Sequence, residues 1–231
     1  MNIVVVYGQN NKGNTYTFAQ RLLGMLGKEE NTVQEFFPKD FVREFCTGCT
    51  NCFFKGEHTC PHAEGVQPVL CAMDSADLLV FASACYVLNV TAQMKNLLDH
   101  LGYRFANHRP GEAMFSKQAV VLATAAGAGM KKTVKTMQDS LFFWGVPHIY
   151  SYGLRVSALQ YNDIPQKRRA KIEQKLARIA QKVEKGAHRK ASVKTRGLFW
   201  VMKKMQQDNN WAPLDKSYWQ QKGWLTGQSP F

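Results

Sequence analysis

Four cysteines crowd into one short segment, Cys46-x2-Cys49-x2-Cys52-x7-Cys60-Pro61. Thiolates at such spacing can converge on one centre, because each two-residue turn aims successive sulfurs inward. The first two intervals and the closing Cys-Pro pair match the way short chain segments wrap a [4Fe–4S] cluster. Four thiolates also satisfy a tetrahedral zinc ion, although two separated Cys-x2-Cys pairs fit that ion better. Cysteines that hold no metal are the third reading. Cys71 and Cys85 stand apart from the run and read as single packed thiols.

A second segment is rich in groups that recognise anions: Gly8-Gln9-Asn10-Asn11-Lys12-Gly13-Asn14-Thr15-Tyr16-Thr17. It follows an apolar run and precedes a helical pattern. Two glycines permit close backbone approach, and a helix N-terminus offers unpaired N–H groups with a positive dipole end. Thr15 and Thr17 add hydroxyls, Asn14 an amide and Lys12 a cation. The spacing is neither the dinucleotide fingerprint nor the Walker pattern, since Asn14 stands where the Walker lysine belongs. A nucleotide triphosphatase is thereby disfavoured. The bland reading of the segment is an ordinary Asn/Gly turn with a helix cap.

These segments need a scaffold, and the apolar pattern supplies one. Asn2 to Tyr7 is a continuous apolar run, as expected of a parallel strand covered on both faces. Further strands are expected at Thr32–Phe37, Asp77–Ser83, Gln118–Thr124 and around His148–Leu154. Helices are expected at about Thr15–Lys28, Val66–Met73, Thr91–Tyr103, Lys131–Trp144 and Pro165–Gly186. Residues 44–62 show no periodicity and read as a Cys-rich loop. Strand alternating with helix predicts an α/β doubly wound parallel sheet, and five strands fit the order 2-1-3-4-5. From Ala191 onward the pattern stops. Residues 1–188 are therefore expected to form the domain, and 189–231 a basic, helical and aromatic C-terminal extension used in packing or dimer contact.

With 231 residues the chain can bury a sizeable core without disulfides. Its formal charge of +13 is uneven: between Ile164 and Met205 fourteen Lys or Arg face two Glu. Lys167, Arg168, Lys171, Lys175, Arg178, Lys182 and Lys185 read as a solvated helix face, and no nucleic-acid motif accompanies them. Leu198–Met202, flanked by basic residues, also suits a membrane interface. The chain shows neither an integral membrane segment nor a leader pattern, so a cytoplasmic location is expected.

The Gly8–Thr17 loop resembles the flavin phosphate loop of the NAD(P)H-dependent FMN reductase family, commonly G-S-x-R-x-x-G-N-[ST]. It keeps Gly8, Gly13, Asn14 and Thr15, carries Gln9 in place of Ser, lacks the Arg and is one residue shorter. Ser83-Ala84-Cys85-Tyr86 with Lys95 and Asp99 resembles that family's S-P-x-Y…K-x-x-x-D stretch, with Ala84 replacing the proline. Thr124–Gly129 resembles its Gly-rich turn. The resemblance covers essentially residues 1–155.

The resemblance implies a flavodoxin-like fold and an FMN held by three groups of residues: Gln9, Asn10, Lys12, Asn14, Thr15, Tyr16 and Thr17 at the phosphate; Ser83, Ala84, Cys85, Tyr86, Val87, Leu88 and Asn89 on one side of the ring; Thr124, Ala125, Ala126, Gly127 and Gly129 on the other. The compact cysteine motif beside such a domain resembles the iron–sulfur flavoproteins and implies Cys46, Cys49, Cys52 and Cys60 as ligands of a [4Fe–4S] cluster. The implied activity is oxidation of NAD(P)H with electrons passed to an unidentified acceptor. An electron carrier serving a ferredoxin-like partner is the alternative. A homodimer or homotetramer is implied, and no side chain is assigned a catalytic role.

Overall fold

The computed structural model describes residues 1–27, 31–41, 43–186 and 190–231. Its strands are β1 (Asn2–Tyr7), β2 (Thr32–Phe36), β3 (Leu78–Ala84), β4 (Gln118–Ala125) and β5 (His148–Arg155). Its helices are α1 (Asn14–Met25), α2 (Asn51–Phe54), α3 (Ala63–Ser75), α4 (Ala92–His100), α5 (Met130–Phe143), α6 (Gln166–Gly186), α7 (Val193–Gln207) and α8 (Pro213–Gln221). The strands form one parallel sheet in the order β2-β1-β3-β4-β5. This is the expected flavodoxin-like order.

Period-two alternation divides the strands' apolar residues between two cores. Val4, Val6, Leu79, Phe81 and Val121 face one core, packed under α3, α4 and α5. Ile3, Val5, Tyr7, Val80 and Leu122 face the other, under α1 and α6. Both faces are covered, so β1, β3 and β4 are buried almost throughout and read as unbroken apolar runs. The outer strands β2 and β5 are partly exposed.

Element bounds differ from expectation by a few residues. Helix α1 closes at Met25, where the Leu26 N–H bonds the carbonyls of Leu22 and Leu23. The expected end at Lys28 lies outside the described residues, as does the expected boundary between residues 188 and 189. The Cys-rich segment contains a one-turn helix, α2, and a short 3-10 turn at Glu57–Thr59.

At the C-terminus the extension expected to be helical and aromatic is made of two helices whose bounds the apolar pattern did not give. Ser192 caps α7 by accepting from the Thr195 N–H at 3.2 Å, and Pro213 opens α8. The α7 pattern was obscured because it buries Phe199 while leaving Trp200, Val201 and Met205 exposed. Phe199, Trp219 and Trp224 join Phe115 in a third core cluster, so these aromatics pack within their own chain. Among the described residues no helix is long and apolar enough to cross a membrane.

Candidate functional site

In an open parallel sheet the loops beyond the carboxyl ends of the strands converge at the crossover where strand order reverses. Here that point lies between β1 and β3, and three loops meet there. The first runs from Gly8 to Gly13. Gly8 is pinned by its own N–H to the Ala82 carbonyl at 2.8 Å, while its carbonyl accepts from Thr91 Oγ1 at 2.5 Å. A Cβ at position 8 would lie 2.7 Å from Thr91 Oγ1 and 2.8 Å from Ser83 Oγ. Glycine is thus required by close approach.

Gln9 is buried and reaches sideways, its Oε1 accepting from the Ala84 N–H at 3.1 Å. Thr15 is buried too, and its hydroxyl meets that of Thr124 at 2.6 Å. These two bonds join the first loop to the second and third. Asn10 is exposed and accepts from the Lys39 N–H at 3.0 Å, and Tyr16 packs against Tyr7 and Phe37. Gln9, Asn10, Thr15 and Tyr16 are therefore engaged within the protein.

The groups that face open space are fewer. Gly13 is the N-cap of α1 in extended conformation with no side-chain cap, so the first-turn amides of α1 remain available to an anion. A cleft of about 440 Å³ opens here, lined by Lys12, Asn14, Thr17, Arg21 and Tyr161 among others. Asn14 Nδ2 donates to the Ala158 and Leu159 carbonyls at 3.0 and 3.1 Å, which orients the amide and leaves its buried Oδ1 without a partner. Lys12 lies 5.1 Å from the Tyr16 ring centre and 5.7 Å from that of Phe37.

Arg21 is a cleft residue not anticipated from the sequence. It sits one turn beyond Thr17, held by Glu173 at 2.7 Å and stacked 3.7 Å over the Tyr161 ring. Burial, followed by the bond to Glu173, pushes the Tyr161 phenol up to about 12, so it stays a neutral donor. The i, i+4 spacing of Thr17 and Arg21 was the available signal.

The second loop leaves β3. Ser83 Oγ donates to the Ala84 carbonyl and accepts from the Thr91 N–H, and the Cys85 N–H bonds the Thr124 carbonyl at 2.7 Å. Tyr86 and Asn89 exchange backbone bonds of 2.9 and 3.1 Å around Val87 and Leu88, both at positive φ, 47° and 64°. A β-branched valine in this region is strained, and such strain gathers at ligand clamps. Tyr86, Val87 and Leu88 are all exposed, presenting an apolar edge.

The third loop leaves β4 with Thr124 and Ala125 buried and Ala126, Gly127 and Ala128 exposed. Gly129 closes it at φ 94°, where a Cβ would collide with Cys85 Sγ and lie 2.7 Å from Leu88 Cα. Lys95 and Asp99 pair with each other on the exposed side of α4.

The cysteine segment packs beside α4. Asn96 accepts from the Cys46 N–H at 3.2 Å and donates to the Glu44 carbonyl at 3.0 Å. Gly48, Thr50 and Gly56 take positive φ and turn the chain sharply. Burial raises the Cys52 thiol pKa, and the neighbouring thiols of Cys60, Cys46 and Cys49 raise it further. All four are free thiols. Four sulfur donors within one short segment suit a thiophilic metal or an iron–sulfur cluster.

Residues 1–158 match the family model for NADPH-dependent FMN reductase, over the segment that carries all three loops. The chain belongs to that family. An iron-sulfur flavoprotein of Archaeoglobus fulgidus is 33% identical over 136 residues, which is 58% of this chain and 59% of that protein. One of Methanocaldococcus jannaschii is 26% identical over 133 residues, 55% of this chain and 64% of that protein. The chain thus spans about three-fifths of the length of these relatives.

Solved structures share the fold. An azoreductase of Bacillus anthracis superposes with a TM-score of 0.61 at 18% identity, over 79% of this chain and 99% of that one. An NAD(P)H:quinone oxidoreductase of Methanothermobacter marburgensis gives 0.60 at 16% identity, over 80% and 97%. FMN is this reductase family's cofactor, and the site fits it. Open helix amides with Arg21 and Thr17 suit a phosphate, the orphaned Asn14 Oδ1 suits a hydroxyl donor, and two apposed loops leave an apolar edge for a ring system.

Proposed function

We propose that this protein is an FMN-dependent oxidoreductase that takes reducing equivalents from NAD(P)H and passes them to a separate acceptor. The observation that carries this reading is the bonding of three loops, by Gln9 to Ala84, Thr15 to Thr124 and Cys85 to Thr124, into one surface beyond β1, β3 and β4. Such cross-bonds preorganise a cofactor site before the cofactor arrives. Bound FMN supplies the hydride chemistry. The chain's part is to hold the phosphate at the α1 amides beside Arg21, to keep Thr124 and Ala125 buried under the ring-side turn, and to present Tyr86–Leu88 at the ring edge. Steady-state NAD(P)H oxidation by the purified protein tests this: saturable turnover with a quinone or azo dye supports it, and a flavin-loaded protein inert to both nucleotides refutes it.

A second reading makes the protein an electron carrier between FMN, a [4Fe–4S] cluster on Cys46, Cys49, Cys52 and Cys60, and a ferredoxin-like partner. The Cys-x2-Cys-x2-Cys-x7-Cys spacing and the similarity to iron-sulfur flavoproteins favour it. Iron and acid-labile sulfide near four per chain, with reduction by a protein donor alone, would support the carrier. Both readings place the chain in the cytoplasm, where thiols stay reduced, as a homodimer or homotetramer; sedimentation would measure the assembly.

A further inference from the structure

We infer that Cys60, His62 and His100 form a site for a single thiophilic divalent cation of the zinc class. One ligand atom from each, the Cys60 sulfur and a ring nitrogen of each histidine, lies within 4.8 Å of the other two. His62 Nδ1 and His100 Nε2 are 3.0 Å apart, with the rings tilted by 59°. Tetrahedral zinc, with bonds of about 2.0 Å to nitrogen and 2.3 Å to sulfur, places its ligands roughly 3.3–3.6 Å from one another. The trio is therefore close to the required separation.

The histidines are oriented as ligands. His100 is 5% exposed, and its Nδ1 faces the Asn96 carbonyl at 2.9 Å. A carbonyl oxygen only accepts, so the proton sits on Nδ1, and the Nε2 lone pair accepts from His62 Nδ1, whose proton a cation would replace. A metal-bound histidine is commonly held in this way, its second nitrogen donating to a carbonyl that fixes tautomer and ring. His100 ends α4, whose Met94, Leu97 and Leu98 are buried in the core, and His62 is the N-cap residue of α3. Two of the three ligands thus stand at the ends of packed helices.

One thiolate with two imidazoles selects zinc, cobalt or nickel over the oxygen-seeking magnesium and calcium. Three protein ligands leave a fourth position for water. Cys60 also belongs to the four-cysteine set, so a cluster on those four and an ion on this trio exclude each other at that residue. The cysteine segment then has two metal states, and the inference does not depend on the flavin reading.

The test is a Co2+ titration of the full-length, FMN-loaded protein after chelation under anaerobic reducing conditions. The expected result is one equivalent bound with tetrahedral d–d bands and a thiolate charge-transfer band, displaced by Zn2+. Cys60→Ser, His62→Gln and His100→Ala should each weaken Co2+ about tenfold or more, while Cys46→Ser and Cys49→Ser leave it unchanged. His62 is half-buried beside the segment, so H62Q serves if H100A does not fold. The inference is overturned if wild type takes up no Co2+, or if Cys46→Ser weakens binding as much as His62→Gln. The flavin spectrum of the same sample reports separately on FMN, and an iron and sulfide assay before chelation reports on the cluster.

Discussion

Asp215, on the C-terminal helix α8, is wholly buried and ion-paired with the buried Arg109, which also donates to the carbonyl of Cys52 and, at 3.3 Å, to that of Phe53. The other oxygen of Asp215 meets His108 Nδ1 at 2.7 Å. The C-terminal extension therefore reaches across to the cysteine segment through one guanidinium. Trp219 Nε1 to the His108 carbonyl and Tyr218 OH to that of Pro110, at 2.7 and 2.6 Å, hold the same stretch from the same helix.

Asp215→Ala leaves the buried Arg109 with only the half-exposed Glu57, at 3.5 Å, as counter-charge. The expected loss is about 3–5 kcal/mol of stability, measured by urea unfolding of the purified chain. The cysteine segment should loosen with it, so Cys52 should react faster with a thiol reagent in conditions where the fold persists. Unchanged stability would show that α8 is not holding this region.

Arg21 and Lys12 make an unequal pair. Arg21 is fixed by Glu173 and Tyr161, whereas Lys12 is exposed and leans over two aromatic rings. A preorganised cation contributes more to anion binding than a free one. Arg21→Gln should weaken FMN about tenfold, a charged hydrogen bond being worth roughly 1.5 kcal/mol, and Lys12→Gln should weaken it less. Quenching of flavin fluorescence measures both, and equal effects would contradict this ranking.

Gly129 is needed for its φ of 94° and for the space taken by Cys85 and Leu88. Gly129→Ala should destabilise the protein by about 1–3 kcal/mol and reduce flavin affinity, because the ring-side and covering loops are forced apart. An affinity equal to wild type would mean that the gap between these loops is not part of the flavin site.

Lys117 carries a pH signature away from the site. Its ammonium is buried against the carbonyls of Asp74 and Ala76, and burial lowers its pKa below the usual 10.5. A depressed lysine pKa means that the unfolded chain binds the proton more tightly. The resulting penalty is full below the folded-state pKa and is relieved as pH rises through it toward the unfolded value. The stability of wild type relative to Lys117→Met should accordingly rise with pH in the alkaline range, as followed by denaturant midpoints. A flat difference would contradict it.

Much of this architecture was legible in the residues. The runs Asn2–Tyr7 and Gln118–Thr124 are apolar on both faces because helices cover both, and alternation with helices then limits the topology. The three ligand loops were legible because glycine and small polar residues punctuate strand ends. The inward turn of Gln9 and Thr15 was not, since a polar side chain's partner depends on which distant loop folds against it. Arg21 was hidden inside an ordinary amphipathic helix. His100 was missed because a histidine at a helix end gives no local sign of His62, 38 residues away. The tail was expected to be helical, but the bounds of its helices were not legible because α7 mixes buried and exposed apolar residues on a short, basic segment.

The most direct test of the flavin surface is an anaerobic absorption titration of the purified full-length protein with NADPH and then NADH. About one FMN per chain should be retained, with its visible bands bleached by one equivalent of at least one of these nucleotides. A chain that retains no flavin, or one whose bound flavin stays oxidised in excess nucleotide, would contradict it.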